Sequence, residues 1–202
     1  MIKKFIMVKY FFKYNFILIF KIVMYEIYYL KNSFNFHYIK SNNKKYFDHI
    51  PSPYYYLSLI YKDINKLKFK NKIFIDLGWG TGRVLNFFYE RGFKKLIGVE
   101  QSKKAIQLFY KENKKKKIKI LNKDILNYNF QTNTGIIYLY NPAPKPIMRR
   151  LIQKIKKKKF KNVTIIYLSP DYINLFDDKY FILVKKAYDE NLRGYAILKK
   201  RG

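Results

Sequence analysis

Cysteine is absent from all 202 residues, which excludes disulfides, cysteine-ligated zinc and thiol nucleophiles. Histidine is almost absent: His37 and His49 are the only two, too few for a histidine-built metal centre, so no metal is expected. Acidic residues are scarce, 13 Asp and Glu against 43 Lys and Arg, for a formal net charge of +30. No run of about 20 nearly uncharged apolar residues occurs, the length a membrane-spanning helix needs. What is present is 49% hydrophobic and 20% aromatic. That composition suits one ordinary domain with a real core, not a disordered chain.

A charge of +30 points toward a polyanion, either nucleic acid or an anionic membrane surface. The same chain overuses Lys, Asn, Ile, Tyr and Phe, which AT-rich codons favour, and Lys far outnumbers Arg. Proteins that read bases lean on the planar fork of arginine. The charge alone therefore singles out no partner.

Three regions are expected. Residues 1–31 form a hydrophobic, basic N-terminal helix or extension, dense in Phe, Ile, Leu and Tyr and broken by Lys9, Lys13, Lys21 and Glu26. Lys9 and Lys13 share a helix face, which suits a basic helix lying on a membrane. A helix covering the domain, or an extension upstream of a start at Met7 or Met24, fits equally well. No small-residue cleavage site follows, so a signal peptide is not expected. The expected location is cytoplasmic, with membrane association through residues 1–31 as the open alternative. Residues 32–50, rich in Asn and Lys, read as a connector, and residues 51–202 as the main domain.

Within that domain, Pro51-Ser52-Pro53 opens a helix from Tyr54 to about Lys68, apolar at Leu57, Ile60, Tyr61, Ile64 and Leu67. Strands are expected at Ile73–Ile75, Lys95–Val99, Ile118–Leu121, Gly135–Tyr140 and Val163–Leu168. Helices alternate with them at Arg83–Glu90, Lys103–Asn113 and Lys145–Lys157. Short apolar strands alternating with helices mean a parallel sheet covered on both faces. Phe181–Lys185 and Tyr195–Lys199 lack a long helix between them, which predicts an antiparallel pair at one edge. The lysine blocks at 114–117 and 156–159 read as solvated loop or helix ends.

Asp76-Leu77-Gly78-Trp79-Gly80-Thr81-Gly82-Arg83 follows the first strand directly. Three alternate glycines at a strand-to-helix turn bring backbone close to a ligand. The spacing departs from the G-x-G-x-x-G of dinucleotide sites, and no Gly-Lys-Ser/Thr follows to make a P-loop. Glu100 ends the second strand about 20 residues beyond this loop, where a carboxylate can accept both hydroxyls of a ribose. Asp124 and Ile125 follow the third strand, and Tyr140 ends the fourth, followed by Asn141-Pro142-Ala143-Pro144.

Together these motifs resemble the class I S-adenosylmethionine-dependent methyltransferases, most closely small, functionally undefined bacterial members. Those share an opening Pro-x-Pro-Tyr, here Pro51 to Tyr54, the glycine loop, a Gly-Val-Glu strand end and a Tyr-Asn-Pro strand exit. The resemblance implies a Rossmann-like three-layer α/β sandwich, with a mostly parallel seven-stranded sheet and a C-terminal antiparallel hairpin. It implies S-adenosylmethionine as cofactor. Asp76, Gly78, Gly80 and Gly82 would hold the amino-acid end, Glu100 the ribose, and Asp124 and Ile125 the adenine. Asn141 and Tyr140 become the catalytic candidates, and Tyr54 and Pro142 the substrate-contacting ones.

Asn141-Pro142 is similar to the Asn-Pro-Pro-aromatic motif of N-methylation, but Ala143 and Pro144 replace its last two residues and remove the stacking ring. Some protein-lysine methyltransferases of this fold also carry a proline-rich segment and a hydrophobic N-terminus, so protein, RNA and small-molecule acceptors all stay open. Position 79 is normally small. Trp79 could point away from the cofactor, stack near it or weaken its binding. The alternative reading is thus a catalytically degenerate basic protein that keeps the fold to bind nucleic acid or a membrane surface.

Overall fold

The computed structural model describes residues 16–30, 50–65, 69, 71–113, 117–189 and 193–201. The expected basic face at Lys9 and Lys13, most of the connector, and the end of the first domain helix near Lys68 lie outside these residues.

Seven strands build one sheet in the order β3-β2-β1-β4-β5-β7-β6. They are β1 (Ile73–Leu77), β2 (Lys95–Glu100), β3 (Lys119–Asn122), β4 (Thr134–Leu139), β5 (Thr164–Leu168), β6 (Phe181–Tyr188) and β7 (Gly194–Lys200). The first five run parallel. β7 lies antiparallel between β5 and β6, so the expected terminal hairpin is present, with longer strands than the apolar runs alone suggest. β1 extends through Leu77 and β2 through Glu100, which puts Asp76 inside its strand rather than at the end. Tyr140 falls just beyond β4.

Alternation along each strand divides the core in two. Ile73, Ile75, Leu77, Ile137, Leu139, Ile165 and Tyr167 face one side with α5 (Lys145–Lys157). That helix buries Ile147, Met148, Leu151, Ile152 and Ile155 at three- and four-residue spacing, with three lysines in its last turn, complementing its dipole. Phe74, Ile136, Tyr138, Ile166 and Leu168 face the opposite side. There they meet α2 (Tyr54–Asn65), α3 (Arg83–Tyr89) and α4 (Lys103–Glu112). This is a three-layer Rossmann-like sandwich.

Residues 16–30 form α1 (Phe16–Leu30), which packs Ile22, Tyr25 and Tyr29 against the second core cluster. Tyr29 stacks on Tyr54 with ring centroids 4.6 Å apart. Its hydroxyl accepts a bond from Arg91 at 2.6 Å. Glu26 accepts from the backbone N–H of Tyr54 at 2.9 Å and from Arg83 at 2.8 Å. Residues 16–30 thus pack one face of α1 on the domain. No helix among the described residues is long and apolar enough to cross a membrane.

Candidate functional site

The chain runs outward from β1 to β2 to β3, then returns to β4 on the other side of β1. The crevice at the carboxyl ends of β1 and β4 is therefore the switch point where open α/β sheets bind ligands. The glycine loop stands on one side of it and the 140–144 turn on the other.

Gly78, Gly80 and Gly82 all have positive φ, at 75°, 57° and 86°, a region closed to most side chains. Packing adds a second reason. A Cβ on Gly78 would lie 2.7 Å from the Cβ of Pro142, and one on Gly82 would strike Phe109 at 2.4 Å. The loop is thus shaped by its own fold, and the signal for a ligand has to come from elsewhere.

Two carboxylates supply it. Asp76 is buried at 2% exposure, and its Oδ2 has no hydrogen-bond partner. Burial holds its carboxyl well above the usual carboxylate range, and the charge of Glu100 pushes the same way. Glu100 accepts from the N–H of Gly80 at 3.1 Å with Oε2 and from that of Ser102 at 2.8 Å with Oε1. Burial raises this carboxyl too, against the lowering effect of those two amides. A buried carboxyl with one oxygen orphaned, beside a half-buried second one, is a costly arrangement. It suits a ligand that brings positive charge to Asp76 and hydroxyls to Glu100.

At the third strand's exit the candidate Asp124 stands with Asn122 and Lys154, to which the sequence gives no role. Asn122 donates from its amide to the carbonyls of Glu100 and Gln101, both at 3.0 Å. Asp124 caps the short turn Ile125–Asn127, accepting from Leu126 N–H at 2.8 Å. Lys154 of α5 donates to the Leu126 carbonyl at 2.6 Å. Ile125 is buried in the first core cluster, beside the loops rather than standing free above them.

At the fourth strand's exit, Asn141 adopts φ 38° and Ser169, across from it at the end of β5, φ 45°. Neither is glycine, so both carry backbone strain. They are tied together. Asn141 donates to the Ser169 carbonyl at 2.7 Å and accepts from the Tyr167 hydroxyl at 2.6 Å. Tyr167 also takes the N–H of Tyr172, at 3.3 Å. The Asn141 amide is thus engaged on both its oxygen and its nitrogen, and the turn it shapes presses Pro142 onto Gly78. No sequence signal marks Tyr167, which reads as one more apolar strand residue.

Tyr54 stands elsewhere than expected of a substrate-contacting residue. Its ring is buried, stacked on Tyr29, with the Arg83 guanidinium 4.6 Å from its centroid. The Pro51-Ser52-Pro53 segment is buried as well: Ser52 accepts from the Tyr138 hydroxyl at 3.0 Å, and its carbonyl accepts from Arg83 at 3.3 Å. Trp79 resolves among its three alternatives. Its indole is buried at 3% exposure, packed edge-on to Phe109 at 4.9 Å and against Gly98. It points into the core beneath the loop.

A family model described as a methyltransferase domain matches residues 75–137. No curated protein sequence matches the chain. Among solved structures, a candidate RNA methyltransferase from Pyrococcus horikoshii aligns at TM-score 0.57 and 18% identity, over 89% of this chain and 96% of that one. The Escherichia coli candidate methyltransferase yhhF aligns at TM-score 0.61 and 10% identity, over 82% and 99%. Magnesium protoporphyrin IX methyltransferase from Synechocystis, solved with bound SAM, aligns at TM-score 0.56 and 11% identity, over 72% and 78%.

Proposed function

From a chain that has the class I methyltransferase fold, and a methyltransferase-domain sequence over residues 75–137, we propose an enzyme that binds S-adenosylmethionine at the β1–β4 crevice and methylates an acceptor there. The observation that carries this reading is the buried Asp76 carboxylate, whose Oδ2 is unpartnered beneath the glycine loop.

The residues fit that cofactor. Asp76 offers a desolvated carboxyl whose ionised form an ammonium group would stabilise, and the loop amides lie at the start of α3, where partial positive charge collects. Glu100, already oriented by the amides of Gly80 and Ser102, has lone pairs left for ribose hydroxyls. Asp124 and Ile125 stand at the β3 exit for the adenine. When bound, the cofactor supplies a methyl already activated by the sulfonium charge, so the protein's share is positioning and exclusion of water.

Tyr140 and Asn141 face the acceptor. Because the Asn141 amide is held by Tyr167 and Ser169, its part is to set the turn and present the backbone beside it, with Tyr140 as the neighbouring side chain. Pro142 closes the same turn over Gly78. A protein, an RNA or a small molecule supplies the acceptor atom, and the charge of +30 alone does not select among them. Burial of Trp79 in the core removes the steric ground for a degenerate site.

Titration calorimetry with S-adenosylmethionine tests the cofactor. Saturable binding is expected, weakened about 10- to 100-fold in Glu100→Ala through loss of charge-assisted hydrogen bonds. A folded wild-type protein that takes up no heat at millimolar ligand overturns the reading. Radiolabelled methyl transfer into cell extract, followed by separate nuclease and protease treatment, then identifies the acceptor class.

A further inference from the structure

The outward face of α1 is unexplained by methyl transfer. Of its 15 residues only Lys21 and Glu26 are charged, and a helix apolar all round is ordinarily covered all round. Its inner face is covered: Ile22, Tyr25 and Tyr29 pack on the domain, and Glu26 is tied to Arg83 and to the start of α2. None of the described residues covers its outer face. Phe16 is 73% exposed, Ile17 65%, Phe20 58%, Met24 47%, Ile27 50% and Tyr28 74%. At 3.6 residues per turn these positions share an arc of about 120°. Lys21, also exposed, sits at its margin.

We propose that this face docks on an anionic phospholipid surface, with α1 lying along the bilayer and the domain held behind it. A second copy of the chain is a poor occupant, since each brings a charge of +30. A nucleic acid answers the charge but offers no apolar surface to the stripe. An anionic bilayer supplies both, acyl chains for the apolar residues and phosphates for Lys21 and Lys62. A groove of about 530 Å³ adjoins the stripe, lined by Met24, Tyr25, Tyr28, Tyr61, Lys62 and Arg91. Cations and tyrosine hydroxyls beside an apolar face are suited to headgroup depth. The described helix spans about 22 Å, short of the roughly 30 Å hydrocarbon core, and its inner face is occupied by protein. It therefore lies on the surface.

Flotation of the full chain with vesicles of phosphatidylcholine, with and without phosphatidylserine, tests this without any cofactor. The wild type is expected to float with the anionic vesicles and to remain bound at salt that screens surface charge. Phe20→Asp combined with Ile27→Asp should lower that binding about tenfold or more, with melting temperature and S-adenosylmethionine binding unchanged. If the double variant melts early, Phe16→Asp at the exposed helix start carries the same comparison. Four results overturn the proposal: no flotation of the wild type, equal flotation of the variants, loss in the variants of a wild-type dimer, or loss in them of RNA binding.

Discussion

Burial raises the carboxyls of both Asp76 and Glu100 above their ordinary values, and the sign of that shift has a consequence for stability. Unfolded, such groups titrate near 3.9 and 4.3. Below that range they are protonated in both states and cost nothing. As pH rises from about 4 through the higher folded values, ionisation penalises the native state more than the unfolded chain, so stability falls. Asp76→Asn removes the larger part of that penalty. Melting curves across pH should show the ligand-free variant gaining on the wild type toward neutrality, with S-adenosylmethionine binding lost. A parallel pH dependence in the two proteins would show that Asp76 is ionised at no cost.

Among the elements, α1 and the end of the glycine loop meet in an ion pair. Arg83, the first residue of α3, is 4% exposed and faces Glu26, at 22%. The other oxygen of Glu26 takes the amide of Tyr54 at the start of α2. Glu26→Ala leaves a buried guanidinium without its carboxylate, a change that costs about 3–5 kcal/mol when both partners are fully buried. Glu26 is partly solvated and Arg83 keeps the Ser52 carbonyl, so a loss of about 2–3 kcal/mol is expected. Denaturant unfolding measures it, and Glu26→Gln, whose one carboxamide oxygen can still accept from one of the two donors, should lose less than the alanine. Residue spacing does not announce this pairing, because 57 positions separate its partners. The Asn141–Tyr167 and Ser52–Tyr138 ties, 26 and 86 positions apart, were invisible for the same reason. The glycine loop, by contrast, was legible because its whole chemistry lies in one short run.

For the molecule as a whole, a ligand that binds only the folded state raises stability by mass action, about 2.7 kcal/mol at a concentration of 100 times Kd. In a chain of this size that corresponds to roughly 5–10 °C in melting temperature. Thermal melts with S-adenosylmethionine, and with an adenosine lacking the amino-acid tail, should show a smaller shift for the truncated ligand if Asp76 holds the amino-acid end. Equal shifts would move that assignment away from Asp76.

Local order and chemistry decided much in advance. Strand-to-helix alternation dictates a parallel covered sheet, because each short apolar run can bury both faces only between helices. Three alternate glycines after a strand permit the left-handed backbone that the loop adopts. What only the tertiary structure decided is where the ambiguous side chains go. Tyr54 stacks on Tyr29 beside Arg83, the Asn141 amide is committed to neighbouring strand ends, and Trp79 drops into the core against Phe109. The same is true of residues 16–30, whose pattern is apolar on every side. A helix of that kind has no preferred face until Glu26 finds Arg83, and that contact turns Phe20 and Ile27 outward.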